Sequence, residues 1–173
     1  MSNSVRNFPL PILGAVTGAL LVFVPASAAP AGPYSDLCSA NKPAVLARIS
    51  GFKAPRGTII VKLYASNPKT FLEKGTYLRK VDVPVHNAGP IDVCVPVPES
   101  GKYALSVRHE INGGKSRSDG GGFSGNPHVS LMDIIFQRKP SLDKVSFSVD
   151  GATRVIPVIL NYIEGGSVRP AAG

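Results

Sequence analysis

His86, His109 and His128 are the only imidazoles in the chain, and His109 opens the polar, glycine-rich segment that gathers most of the candidate groups. Glu110 follows directly, Asp119 lies beyond a run of Gly, Ser and Lys, and Ser124 sits within Gly122-Phe123-Ser124-Gly125-Asn126. Three chemistries are conceivable here. An imidazole beside a carboxylate or a hydroxyl is the kit of a small hydrolase. Glu110, Asn112, Ser116, Ser118 and Asp119 are oxygen donors of the kind a calcium ion gathers. Gly114-Lys115-Ser116 echoes a phosphate-binding loop.

Each meets an obstacle in its own surroundings. The phosphate motif needs Gly five residues before Gly114, where His109 stands, and it needs a helix that the following residues do not promise. The nucleophile elbow G-x-S-x-G fails at Asn126, and the pattern of the chain is not that of an α/β-hydrolase. Lys115 and Arg117 place two positive charges among the calcium donors, which opposes a divalent cation. No metal and no cofactor is expected. Glu110 and Asp119 as paired glycosidase carboxylates lack an aromatic sugar-stacking face, since the chain has no Trp. His109 falls on the face that carries Tyr103, Leu105 and Val107, so a buried imidazole bonded to the loop after it is the expected structural role.

The elements that hold these residues are strands. Val45, Ala47 and Ile49 alternate with Leu46, Arg48 and Ser50, and Ile59, Val61 and Leu63 do the same between Thr58 and Tyr64. These two runs are expected to form an opening hairpin around Lys53-Ala54-Pro55-Arg56-Gly57. Residues 67–75 suggest one helical turn tucking in Phe71 and Leu72. Tyr77 to Val85 follows as a strand with Pro84 marking an edge, and Ile91, Val93, Val95 and Val97 make the next inward face. Lys102 to Glu110 carries His109. Ile111 to Gly122 is expected to be a surface loop outside the core, and Val129 to Phe136 an extended segment. A C-terminal hairpin is expected from Lys144 to Val149 and Arg154 to Tyr162 around Asp150-Gly151, with Pro157 on an edge. About seven antiparallel strands separated by Gly/Pro turns predict an all-β, single-domain sandwich over residues 44–163, with a disordered tail at 164–173.

The beginning of the chain predicts where this sandwich resides. Arg6, the apolar stretch from Leu10 to Val24 and the small residues Ala26-Ser27-Ala28 have the form of a cleaved signal peptide, residues 1–28. The apolar stretch is shorter than the ~20 residues of a spanning helix, so no transmembrane segment is expected after cleavage. A periplasmic or secreted address follows. Residues 29–43 then form a lead-in, and Cys38 and Cys94, the only two cysteines, are expected to pair in that oxidising setting. Such a bridge would tie the lead-in across the outside of the sheet and stabilise by about 4 kcal/mol in the chain-entropy account.

Basic residues outnumber acidic ones by 19 to 11, a formal charge of +8. They are scattered and not interleaved with aromatics, so nucleic acid is not the expected partner. A solvated basic surface is the first expectation; the partner is left open, with anionic envelope lipid or glycolipid, or an envelope protein, as the candidates.

Glu99-Ser100-Gly101-Lys102-Tyr103-Ala104, the run His109-Glu110-Ile111-Asn112-Gly113-Gly114-Lys115 and the element Gly122-Phe123-Ser124-Gly125-Asn126 together resemble the bacterial family called domain of unknown function 2141. Ile49-Ser50-Gly51-Phe52 and Gly57 to Tyr64 resemble its first hairpin. The resemblance spans about Val45 to Tyr162, and implies an exported sandwich of immunoglobulin-like or transthyretin-like form with no established activity. It also points to the loop after His109 as the special region. There the chain departs from the family pattern, with Glu110 in place of the usual Asp and with Ile111 and Gly114 at positions usually more polar.

The expected function is a non-catalytic binding or scaffolding module. Its binding residues are drawn from that loop and its flanks: His109, Glu110, Asn112, Lys115, Arg117, Asp119, Phe123, Ser124 and Asn126. The alternatives are a small periplasmic hydrolase using the His109 loop and a structural subunit of an envelope assembly.

Overall fold

A computed structural model describes Met1 and residues 29–171. Apart from Met1, the expected signal peptide lies outside the described residues, as do the last two residues of the expected tail. The elements in chain order are α1 (Ser35–Ser39), β1 (Ala44–Ser50), β2 (Thr58–Ala65), β3 (Arg79–Pro84), β4 (Ile91–Pro96), β5 (Gly101–Glu110), β6 (Gly120–Phe123), α2 (Leu131–Ile135), α3 (Leu142–Val145), β7 (Ser146–Val149), β8 (Arg154–Ile159), β9 (Asn161–Glu164) and β10 (Ser167–Pro170).

Two sheets form a sandwich. The smaller has the order β4-β1-β8, the larger β10-β9-β6-β5-β2-β3, with β7 also on β5. Alternation decides which side chains fill the space between them: Val45, Ala47, Ile49, Ile59, Val61, Leu63, Val93, Val95, Leu105 and Val107 are all in one core cluster. The strand prolines sit where the missing N–H does least harm, all in edge strands: Pro84 in β3, Pro96 in β4, Pro157 in β8 and Pro170 in β10.

Pairing differs from the sequence expectation in ways that alternation does not specify. β1 and β2 are not a hairpin: β1 lies between β4 and β8, β2 between β3 and β5, and residues 51–57 cross from one layer to the other. Likewise β7 pairs with β5 while β8 joins the small sheet, and β8 runs parallel to β1. A period of two says which residues face inward, and either layer of a sandwich satisfies it. The strands therefore number ten among the described residues, because four-residue strands complete the larger sheet. The end of the chain is one such addition. Instead of trailing off at Glu164, it turns through Gly165 and Gly166 at φ 56° and 79° and returns as β10 on β9.

The lead-in closes one side of the sandwich. Ala31 bridges to Val93 in β4, and Cys38 at the end of α1 is joined to Cys94 with the two Cα atoms 6.0 Å apart. Cys94 is directly opposite Leu46 on the outer side of the small sheet, so the bridge straps the lead-in over the exterior. On the other side, Leu160 is the corner where the chain passes from β8 into β9 and thus from one sheet to the other; its N–H donates to Ser50 O at 2.9 Å.

β6 and β7 lie end to end along one edge of β5, taking residues 106–109 and 101–104 respectively. Between them the chain makes an excursion over residues 124–145 that carries α2 and α3. The stretch expected to be extended, Val129 to Phe136, contains α2, because Ser130 caps the N-terminus and Asp133 completes a reciprocal capping box. Under this excursion a second small core forms on the outer face of the large sheet from Tyr64, Phe71, Ala104 and Val145. Phe71 reaches it from the single turn expected at 67–75, where its N–H donates to Asn67 O at 2.9 Å.

Candidate functional site

β5 delivers His109 into the interior, fully buried. Its Nε2 lies 2.8 Å from Arg56 O and its Nδ1 2.7 Å from the Tyr162 hydroxyl. A carbonyl only accepts, so the tautomer that satisfies every partner carries its hydrogen on Nε2, and Tyr162 donates to Nδ1. The Tyr162 oxygen in turn accepts from Lys53 N–H at 3.1 Å. The imidazole is thus buried as expected, but it bonds to the β1–β2 crossing and to β9 rather than to the loop after it. Burial raises the Tyr162 phenol above its usual value, against the hydrogen bond from Lys53. Both ring nitrogens are occupied by structural partners.

Ser124 is likewise committed. Between β6 and β7 the edge of β5 has a gap at Leu105, and the Ser124 hydroxyl fills it, accepting from Leu105 N–H at 2.9 Å and donating to Val145 O at 2.5 Å. Asn126 clamps the edge of β8, its side chain accepting from Ile159 N–H at 2.7 Å and donating to Pro157 O at 3.3 Å.

The loop after β5 is ordered by its own carboxylates. Asp119 accepts from Ser116 N–H at 3.0 Å, from the Ser116 hydroxyl at 2.8 Å and from Ile111 N–H at 3.3 Å. Burial opposes the charge on Asp119, but these hydrogen bonds, with Arg108 nearby, hold the carboxyl below the usual value. Glu110 pairs with Arg108 and accepts from Gly114 N–H. Asn112 donates to Ser118 and accepts from Arg56. The oxygens of the calcium-type donor set face backbone, hydroxyl and guanidinium partners, and no cluster of three or more metal-ligating side chains occurs among the described residues.

Two parts of the segment 111–122 belong to the interior rather than to an outer loop. Ile111 is in the main core, and Gly120 and Gly122 are buried within β6. The glycines there are set by close approach, since a Cβ on Gly120 would fall 2.3 Å from the Tyr162 ring, and one on Gly122 would fall 2.6 Å from Ile159 O.

What these elements enclose is a trough on the outer face of the large sheet, an open concavity of about 1190 Å³. Its floor follows from the register: Lys80, Lys62, Ser106 and Phe123 form one row across β3, β2, β5 and β6, and Asp82, Ile60, Arg108 and Gly121 form the next. The loop bearing Lys115, Ser116, Arg117 and Asp119 is one wall, and the excursion with Ile134, Arg138 and Lys139 is the other. Of the residues singled out in the sequence, Glu110, Lys115, Arg117, Asp119, Phe123 and Asn126 line this trough, whereas His109, Asn112 and Ser124 do not.

Four trough cations have carboxylate partners: Lys80 with Asp82, Arg108 with Glu110, Arg138 with Asp133 and Lys139 with Glu73. Lys62, Lys115 and Arg117 have none within 4.0 Å among the described residues. Sequence reasoning missed Lys62, Lys80 and Arg108. The available signal was their phase, each falling on the non-core side of its strand.

A family model described as an uncharacterized protein conserved in bacteria (DUF2141) matches residues 47–156. No curated protein and no solved structure matches the chain.

Proposed function

We propose that this chain, which belongs to the uncharacterized bacterial family DUF2141, is an exported, non-catalytic binding module that receives its ligand in the trough on the outer face of the large sheet. The observation that carries the reading is the division of labour around β5. Groups pointing inward, His109 and Ser124, spend their hydrogen-bonding capacity on the fold. Groups pointing outward line an open concavity whose rim presents Lys115 and Arg117, cations with no carboxylate within 4.0 Å among the described residues. A hydrolase built on His109 would need a ring nitrogen within reach of substrate, and both are held by internal partners.

An exported address is supported by the leader-like sequence and by the Cys38–Cys94 bridge, since such bonds persist in oxidising compartments. No helix among the described residues is long and apolar enough to cross a membrane. The available anions in that setting are envelope lipids, glycolipids and acidic proteins. The double variant Lys115→Ser/Arg117→Ser should adsorb less to anionic envelope lipid in low salt, with the loss shrinking as salt rises. Unchanged adsorption would remove the electrostatic basis of the reading.

A further inference from the structure

Lys62 occupies an unfavourable place unless something anionic joins it. In the register of β2 and β3 it is directly opposite Lys80, and like charges in that position repel. Arg108 is one row away on β5, Lys115 approaches from the wall, and no carboxylate lies within 4.0 Å of Lys62 among the described residues. Its ammonium group rests 5.3 Å from the Tyr77 ring centroid. Burial first, then the fields of Arg108, Lys80 and Lys115, lower its pKa from the ordinary lysine value, with Asp82 acting in the opposite sense.

Beside these cations the trough turns apolar. Phe123 follows Lys62 and Ser106 in the same cross-strand row, and Leu72 and Ile134 line the concavity beyond it. Beside the trough, the same short helix α2 and its C-cap expose Met132, Ile135 and Phe136 at 52%, 59% and 58%, residues that do not themselves line it. Side chains of that size are rarely left bare in a cluster without a partner. Cations at one end and an apolar floor of Phe123, Leu72 and Ile134 next to them together match an anionic amphiphile.

We propose that the trough seats the phosphate headgroup of an anionic lipid between Lys62, Lys80, Arg108 and Lys115, its acyl portion leaving across Phe123 and Ile134 past the exposed tip of α2. The proposal rests on the trough being the binding face, and it adds the ligand's class and the position of its charge. A headgroup phosphate would offset the repulsion between Lys62 and Lys80 and accept charge-assisted hydrogen bonds from both.

The test is co-sedimentation of the purified protein with phosphatidylcholine vesicles with and without phosphatidylglycerol, comparing wild type, Lys62→Gln and Lys42→Gln, the last an exposed cation on the lead-in. Wild type should sediment with the anionic vesicles only. Lys62→Gln should weaken binding about tenfold, the size of one charge-assisted hydrogen bond, and Lys42→Gln much less. Without lipid, Lys62→Gln should melt no lower than wild type, because it relieves like-charge repulsion, so lost binding cannot be ascribed to unfolding. Equal losses in the two variants would reduce the effect to overall charge and overturn the seat. Inorganic phosphate raising the melting temperature as much as short-chain phosphatidylglycerol would overturn the lipid assignment in favour of a free anion. If the Lys115/Arg117 variant loses binding and Lys62→Gln does not, the headgroup position falls while the trough survives; if neither does, both fall.

Discussion

Replacing Tyr162 by Phe removes one oxygen and leaves the packing of its ring in place. That oxygen is the donor to His109 Nδ1 at 2.7 Å and the acceptor for Lys53 N–H at 3.1 Å. The imidazole cannot compensate by moving its hydrogen, since Nε2 is needed by Arg56 O. Nδ1 would therefore remain in the core with no donor, and an unsatisfied buried polar atom costs about 1–3 kcal/mol. Lys53 is exposed, so water can meet its N–H and adds little to the sum. A loss of about 2 kcal/mol is expected, read as a shift of roughly 1 M in the urea midpoint at an unchanged slope of ~2 kcal/mol/M. Tyr103→Phe is the comparison, because its hydroxyl donates to Glu99 O of an exposed residue, and it should lose about 1 kcal/mol or less. A loss below about 0.5 kcal/mol for Tyr162→Phe would refute the closed chain of hydrogen bonds.

Ser124→Ala should destabilise by about 2 kcal/mol in urea unfolding, since Leu105 N–H loses its acceptor inside the sheet. Reducing the Cys38–Cys94 bridge, which closes a separation of 56 residues, should lower stability by about 4 kcal/mol, and the same should hold for Cys38→Ser/Cys94→Ser. Gly57→Ala should lower the melting temperature sharply, because the residue has φ 94° and a Cβ would collide with Glu110 O and the Ile111 backbone. Because the folded Asp119 carboxyl titrates below its unfolded counterpart, its contribution is complete above the usual aspartate pKa. It is lost as pH falls through the lowered folded value, and Asp119→Asn should flatten that part of the acid stability curve.

The inward faces were legible because they depend only on the sequence spacing of apolar residues. Val45, Ala47 and Ile49, or Tyr103, Leu105 and Val107, enter the core in any arrangement that buries one side of a strand. Partner choice was not legible: β1 fits between β4 and β8, not on β2, and that follows from how the crossing at 51–57 packs against His109 and Tyr162, residues far apart in sequence. The glycine run at 120–122 misled for a related reason. It reads as flexible surface, yet it is narrow because the Tyr162 ring and the β8–β9 corner pass directly over it. Lys115 and Arg117 could be picked out by the loop that bears them. Lys62 could not, because one lysine on a strand acquires meaning only when Lys80 and Arg108 are brought alongside.

The excursion at 124–145 leaves and rejoins the edge of β5 at neighbouring places, its two ends pinned together by one serine hydroxyl. Beyond Asn126, which clamps the edge of β8, no residue from 127 to 141 belongs to a strand. The wall of the trough thus hangs on a few side-chain anchors, Ser124, Asn126 and Lys139, rather than on strand pairing.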